Sequence, residues 1–396
     1  MTASPEAPPK GALDGIKVLD LSFFAPGRVT SMILGDLGAD VVCVEMPRGV
    51  RPAESRLDDD TSSRWVFYQR NKRSITLNLK TDGGQEVFRK LVAEVDVVIE
   101  SFKAGTAARL GVDYATVKEL NPTVVYCSVS GFGQTGPYRE YVGHEPNYQG
   151  LGGLLAHNHL EGAEPTVLPA LVGDVAGGAM HGVIGILGGL FHRARTGTGQ
   201  YIDVAIAAGM LPLMGSLPYA QWLGEAYRAT SFASGHRAAF RAYKAKDGKY
   251  VAISPSEPWL WARFCKVIGR EDLTDLKQKA GEDPSLVGHL KEVFAERTQQ
   301  EWTELNEREN IAVTPVLEDV REIEQDPQMR HREVIVEIDY PPIGTVKQIK
   351  TPFLMSETPP TVRWIPRYGE HTAEVLTELG FDAAGIESLR ARGVCE

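Results

Sequence analysis

Residues 16–45, IKVLDLSFFAPGRVTSMILGDLGADVVCVE, constrain the fold more than any other stretch of this chain. IKVLDL is a short apolar run with β-branched residues, which reads as a buried strand. In the segment after it, Pro26 suits a first helical turn, and Val29, Met32, Ile33 and Leu37 recur at helical steps. Gly38 ends the helix and VVCVE is a second apolar strand. Strand, helix and strand in such quick succession form a βαβ unit, whose two strands run parallel. The chain therefore opens a parallel, Rossmann-like α/β sheet. The alternation continues: residues 82–95 read as a helix, 96–102 as a strand, 103–122 as two short helices and 123–130 as a further strand.

GFGQTGPY at 131–138 matches G-x-G-x-x-G through Gly131, Gly133 and Gly136. A dinucleotide fingerprint needs its third glycine inside a helix and an acidic residue about 20 positions on. Pro137 follows instead, so the match points away from a nicotinamide cofactor. A tight turn at the carboxyl end of a strand is still where α/β sheets place ligands. The next loop, GHEPNY at 143–148, carries His144 beside Glu145. Further on, Asp174 opens a helix in which Val175, Ala179, Val183, Ile186 and Leu190 recur at helical steps. By residue type alone, Asp174 is an N-cap and His144 an ordinary loop histidine. The helix also holds Gly177, Gly178, Gly182, Gly185, Gly188 and Gly189. Each costs about 1 kcal/mol of helix propensity, so either a packed element or a ligand must approach this backbone closely.

Charge narrows the function classes. Lys and Arg number 42 against 52 Asp and Glu, a net charge of −10, which argues against a nucleic-acid partner. The basic residues nevertheless gather at 46–80, where Arg48, Arg51, Arg56, Arg64, Arg70, Lys72 and Arg73 fall in a segment that reads as a loop. Such a loop suits the rim of a site for an anionic ligand. The cysteines, Cys43, Cys127, Cys265 and Cys395, show no C-x-x-C spacing. They indicate neither a disulfide framework nor a metal site, and they fit a cytoplasmic location. Residues 1–15 lack a signal-peptide pattern and read as a flexible arm. The helix after Val175 is the nearest approach to a membrane span, but His181, His192 and Arg193 mark it as a buried core helix, and no membrane partner is expected.

The organisation that follows is a large domain at 16–215, a smaller α+β domain at 216–330 and a C-terminal segment at 331–396. The smaller domain is read from a hairpin at 239–255, a helix at 257–273 and a charged helical region at 284–310.

Several stretches taken in order resemble the class III CoA-transferase family (CaiB/BaiF type), which includes the α-methylacyl-CoA racemases. They are residues 16–45, NKRSITLNLK, VVIESFKAGTAARLGVDY, TVVYCSVSGFGQTGPY, VGD with its glycine-rich helix, TGTGQYIDVAI and EPWLWARFC. The resemblance implies a Rossmann-like large domain with a small domain, and a C-terminal segment that returns to the large one. It also implies an interlocked homodimer, with a heteromer of paralogous subunits as a variant. The ligand it implies is an acyl-CoA thioester, with coenzyme A as part of the substrate and no permanently bound cofactor. On this resemblance Arg48, Lys72, Arg73, Lys103 and Tyr138 are candidates for CoA contacts. ESFKAG departs from the family's Glu-Asn-Phe-Arg-Pro-Gly, so Lys103 stands where an arginine is usual.

The family has two chemistries. In its transferases the aspartate at the position of Asp174 attacks the thioester and becomes an aspartyl-CoA thioester. In its racemases that aspartate is one of two bases, a histidine in a GHDxNY-like segment is the other, and a glutamate from a Glu-Pro segment pairs with the histidine. Here these match His144 and Glu257, while Glu145 replaces the usual aspartate. Inverting an α-carbon needs a base on each face, one to take the proton and one to return it. An aspartate at a helix N-terminus has nearby backbone donors for the enolate oxygen. The expected activity is therefore an acyl-CoA racemase or epimerase, with CoA transfer as the alternative.

Overall fold

The computed structural model describes residues 11–51, 60–159, 163–224, 237–275 and 284–396. Most of the expected N-terminal arm, and Arg56 of the basic segment, lie outside these.

The sheet has six strands, all parallel: β1 (Lys17–Asp20), β2 (Asp40–Glu45), β3 (Lys72–Thr76), β4 (Val97–Glu100), β5 (Val125–Ser130) and β6 (Tyr201–Ala205). Their order is β3-β2-β1-β4-β5-β6. This is the doubly wound order, in which the chain reverses its direction of travel between β1 and β4. The loops leaving those two strands splay to opposite sides, and the cleft between them is where such sheets bind ligands.

Helices cover the sheet because each carries an apolar stripe. In α1 (Ala25–Asp36) Val29, Met32 and Leu34 are buried, and Pro26 stands in the first turn as expected. In α2 (Asp82–Glu94) Val87, Phe88, Leu91 and Val92 pack against Leu19, Val98 and Tyr126. A short α3 (Glu145–Leu151) follows the glycine turn, and α4 (Met180–Thr196) continues a π-helical stretch, Val172–Ala179. The glycines of α4 have a structural reason. A Cβ on Gly182 would lie 2.9 Å from Thr30 Oγ1, and one on Gly189 would lie 2.8 Å from Val125 Cγ1. Helix α1 and the sheet therefore press on this backbone. From Val172 to Thr196 the helix is long and apolar enough to cross a membrane by length and composition, but its glycine face is packed on the sheet.

Strand β3 corrects the expectation of a loop at 46–80. Its sequence, KRSIT, has no apolar run, yet it pairs with β2 along its whole length. Its charges are absorbed by partners. Lys72 is fully buried; its Nζ donates to Asp20 Oδ2 at 3.2 Å and to the Arg28 carbonyl at 2.9 Å. Arg28 itself holds Glu45 through two bonds of 2.8 and 2.9 Å. Arg70 grips Asp36 in the same way, at 3.0 and 2.8 Å. Removing one member of a buried pair strands the other charge. Lys72→Met is accordingly expected to cost about 3 kcal/mol of stability, read as a lowered denaturant midpoint. A normal midpoint with a selectively weakened affinity for CoA would contradict that structural role.

The chain divides into two compact units, residues 1–152 with 169–213 and 328–396, and residues 153–168 with 214–327. Residues 153–168 thus group with the smaller unit, which the sequence does not suggest. That unit has a three-stranded antiparallel sheet of β7 (Arg241–Lys244), β8 (Tyr250–Ile253) and β9 (Val313–Pro315). With α5 (Pro258–Val267), α6 (Pro284–Phe294) and α7 (Gln299–Glu309) it encloses its own core of Tyr243, Val251, Trp261, Phe264, Phe294 and Trp302. In the larger unit, the C-terminal residues form a hairpin, β10 (Ile335–Tyr340) and β11 (Gly344–Ile349), and two helices, α8 (Thr372–Glu378) and α9 (Ala383–Ala391). Val375, Leu376, Ile386 and Leu389 of those helices join the core of α2 and the sheet.

Candidate active site

A cavity of about 720 Å3 opens in the larger unit at the carboxyl ends of β1, β4 and β5. Phe23, Phe24 and Pro26 line it after β1, Ser101 to Ala104 after β4, and Ser130 to Gly133 after β5. His144, Tyr148 and Asp174 line the same cavity. The fold therefore brings two segments far apart in sequence, the GHEPNY loop and the glycine-rich helix, to one site at the switch point of the sheet.

His144 is the residue before α3, in extended conformation with φ −135°, and its side chain is exposed. Its backbone N–H donates to Asn147 Oδ1 at 3.0 Å, which fixes the helix start while leaving the imidazole on the cavity. Tyr148 is buried beneath, its hydroxyl donating to the Gly143 carbonyl. Burial and the charges of Asp174 and Glu145 push that phenol up to about 12, so it remains a neutral donor.

Asp174 is not the N-cap. The helix begins at Val172 after Leu171, and its first stretch is wound as a π-helix, a form often found at functional sites. Glu145 supplies the cap from another element. Its carboxylate accepts from the backbone N–H of Gly173 at 2.5 Å and of Asp174 at 3.0 Å, and from Gln149 Nε2 at 2.9 Å. The Val172 and Val175 N–H groups donate to the Ala170 and Leu171 carbonyls, both at 2.9 Å. The first turn thus has its donors engaged, and a thioester oxygen would reach them only by displacing Glu145. This corrects the expectation that the helix end offers open donors to an enolate.

The arrangement sets the charge of Asp174. Burial first, and then the negative charge of Glu145, push its carboxyl up to about 6, against a smaller opposing pull from His144. A helix N-terminus would favour the anion; here that favour goes to Glu145. A carboxyl near neutrality is suited to passing a proton in both directions. Glu145→Gln removes the neighbouring charge and keeps one acceptor oxygen. The acid limb of the kcat/KM profile is expected to move to lower pH, because the anion of Asp174 then forms more easily. An unmoved limb, or one at higher pH, would show that Glu145 does not set this carboxyl.

The other expected residues fall in several places. Lys103 lines the cavity. Beneath its loop, Glu100 accepts from the Phe102 N–H at 2.6 Å, and burial pushes its carboxyl up to about 7. Tyr138 is exposed and stacks on Tyr141. Arg48 is exposed, its guanidinium 4.5 Å over the Tyr368 ring. Lys72 and Arg73 are removed from the candidate CoA contacts. The first is sealed in the core; the second is taken by Asp40 at 2.7 and 3.0 Å and by Glu378 at 2.8 Å. Glu257 belongs to the smaller unit, exposed at the start of α5. Neither Glu145 as a cap nor Phe132 and Tyr141 as cavity walls could be read from residue type or spacing. Among the described residues no cluster suited to holding a metal ion is present.

Comparison with known proteins agrees with this architecture. The family model for CoA-transferase family III matches residues 13–372. The chain is 33% identical to human alpha-methylacyl-CoA racemase, over 97% of this chain and 98% of that one. It is 32% identical to formyl-CoA:oxalate CoA-transferase of Streptomyces avermitilis, over 97% and 99%. Among solved structures, a CAIB/BAIF family protein from Brucella suis superposes with a TM-score of 0.78 at 30% identity, covering 93% of this chain and all of that one. On these matches, and on a doubly wound sheet with its cavity at the switch point, the chain belongs to CoA-transferase family III.

Proposed function

We propose that this protein is an acyl-CoA racemase or epimerase, inverting the α-carbon of a 2-methyl-branched or otherwise 2-substituted acyl-CoA thioester. The observation that supports this reading above the others is a pair of unlike proton carriers on one cavity. His144 and Asp174 come from different elements, and the Asp174 carboxyl is held near neutrality by burial and Glu145. In this reading the thioester carbonyl acidifies the α-proton. One base removes it to give an enolate, and the acid form of the other returns a proton from the opposite face. Tyr148 and Glu145 hold the two carriers in place and are not themselves proton carriers. Lys103, one of the cations lining the cavity, serves the CoA phosphates.

An interlocked homodimer belongs to the same proposal, with Glu257 serving His144 through that assembly. Its support is an exposed apolar stripe on α4, formed by Met180, Ile184, Leu187 and Phe191. CoA transfer is the second reading. Its support is the carboxylate of Asp174 on the cavity, since a nucleophile needs no partner on the opposite face.

The test is incubation with one enantiomer of a 2-methylacyl-CoA in D2O, without any second carboxylic acid. Deuterium at the α-carbon, together with loss of optical purity, is the expected result. Retained α-hydrogen, with an enzyme-bound CoA thioester trapped on Asp174 by hydroxylamine, would replace this proposal with the transferase.

A further inference from the structure

Three neighbouring strands end in polar side chains that stand in register. Glu100 of β4 pairs with Ser128 of β5, and Ser128 pairs with Asp203 of β6. Residues in register on a parallel sheet share a face, so two carboxyls flank one hydroxyl at the carboxyl ends of these strands. Ser128 donates to Glu100 and accepts from the Tyr201 hydroxyl at 3.1 Å.

Each carboxyl also reaches forward and holds a loop of the cavity. Glu100 accepts from the Phe102 N–H at 2.6 Å and so fixes the turn that carries Lys103. Asp203 accepts from the Gln134 N–H through both oxygens, at 3.1 and 3.0 Å, just past the cavity residues Ser130 to Gly133. Ser101 ties in the loop after β1, its hydroxyl accepting from the Phe23 N–H at 3.2 Å. The strand-end ladder thereby sets three of the loops that line the cavity.

Glu100 is the costly member of the ladder. It is only 1% exposed, and burial of a carboxylate disfavours its ionised form. Burial pushes its carboxyl up to about 7; the bonds from Ser128 and Phe102 pull against that, and the charge of Asp203 adds a smaller push. Tyr126 and Cys127 on β5 and Tyr201 on β6 also surround it, and burial pushes all three up, so they stay neutral near pH 7. A charged acceptor holds an N–H about twice as strongly as a neutral one. The grip on the Lys103 turn therefore depends on whether Glu100 carries its charge.

We propose that Glu100 is a positioning residue whose ionised carboxylate holds the Phe102–Lys103 turn in its CoA-binding setting, so that affinity for CoA falls when Glu100 takes up a proton. This rests on the reading of the cavity as a CoA site, and not on whether the chemistry there is racemisation or transfer.

Calorimetric titration with S-methyl-CoA tests it, since this thioether has no acyl group to turn over and no free thiol. Kd is measured at pH 8, 7 and 6 and constant ionic strength. The 3′-phosphate of the probe titrates in the same range for parent and variant alike, so the difference between them is the readout. The parent is expected to lose about tenfold more affinity between pH 8 and pH 6 than Glu100→Gln. At pH 8 the variant is expected to bind about tenfold more weakly than the parent, and at pH 6 equally. Asp203→Asn, at an exposed position, removes the like charge and keeps an acceptor for Gln134; it is expected to move the step to lower pH. Glu100→Gln with the parent's pH dependence, or with the parent's affinity at pH 8, would overturn the proposal. So would an unmoved step in Asp203→Asn, which decides the matter even where Glu100→Gln does not fold. A parent that binds S-methyl-CoA without a step of its own sinks this proposal alone, whereas a parent that does not bind at any pH sinks the CoA reading as well.

Discussion

Asp174→Asn is expected to lower racemisation by at least about 10^3-fold, and at pH 8 to make the folded protein more stable. Asparagine keeps the shape of the side chain and removes both the base and the charge. The gain in stability follows from the position of this group. Its carboxyl titrates near 6 in the fold, against 3.8 for an ordinary aspartate, so the fold disfavours the ionised form. The stabilising contribution of the neutral acid is therefore fully present below about pH 4 and is lost as pH rises through about 6. Asparagine does not ionise and does not incur that loss. The expected gain is about 1–2 kcal/mol at pH 8, discounted because the group is only half-buried, and close to none at pH 4. Thermal melts at the two pH values check the sign. A variant less stable than the parent at pH 8 would mean that Asp174 is held by favourable contacts.

His144→Ala is the second large effect, and its signature is asymmetric. A base on one face of an α-carbon acts on one enantiomer. Without the imidazole, the enantiomer whose proton faces His144 is expected to lose α-exchange by about 10^2–10^4-fold. The enantiomer facing Asp174 keeps its exchange but is not inverted, because no acid remains on the far side. Stability is expected to change little, since the imidazole is exposed and the backbone N–H of His144 still holds the start of α3 through Asn147. A transferase acting through Asp174 alone would largely retain its activity in this variant.

Much of the larger unit is legible in the sequence, for a physical reason. β1, β2, β4 and β5 are buried on both faces, so they read as apolar runs, and α1 and α2 carry regular stripes. β3 is not legible in that way. Its burial rests on paired charges, Lys72 with Asp20 and Arg73 with Asp40, and a sequence shows charges without showing their partners. The same limit explains the misplaced CoA candidates, since the most basic segment of the chain spends much of its charge inside the fold. In the site, His144 and Asp174 are legible only through resemblance, because residue type alone makes one a loop histidine and the other a cap. The cap in fact comes from Glu145, through bonds to Gly173 and Asp174. That pairing spans two elements, and no local pattern announces it. The π-helical start at Val172 is likewise set by packing, with Gly177 and Gly178 pressed against Ile206.

Two bases facing one carbon are the core of the proposed mechanism, and the most direct measurement compares the two variants on the two enantiomers. Each of Asp174→Asn and His144→Ala would be given the R and the S thioester separately in D2O, and α-deuterium incorporation followed by mass spectrometry. The prediction is a mirror image: each variant exchanges one enantiomer, the two variants prefer opposite hands, and neither inverts. Loss of all exchange in Asp174→Asn, with both enantiomers affected equally in His144→Ala, would contradict it.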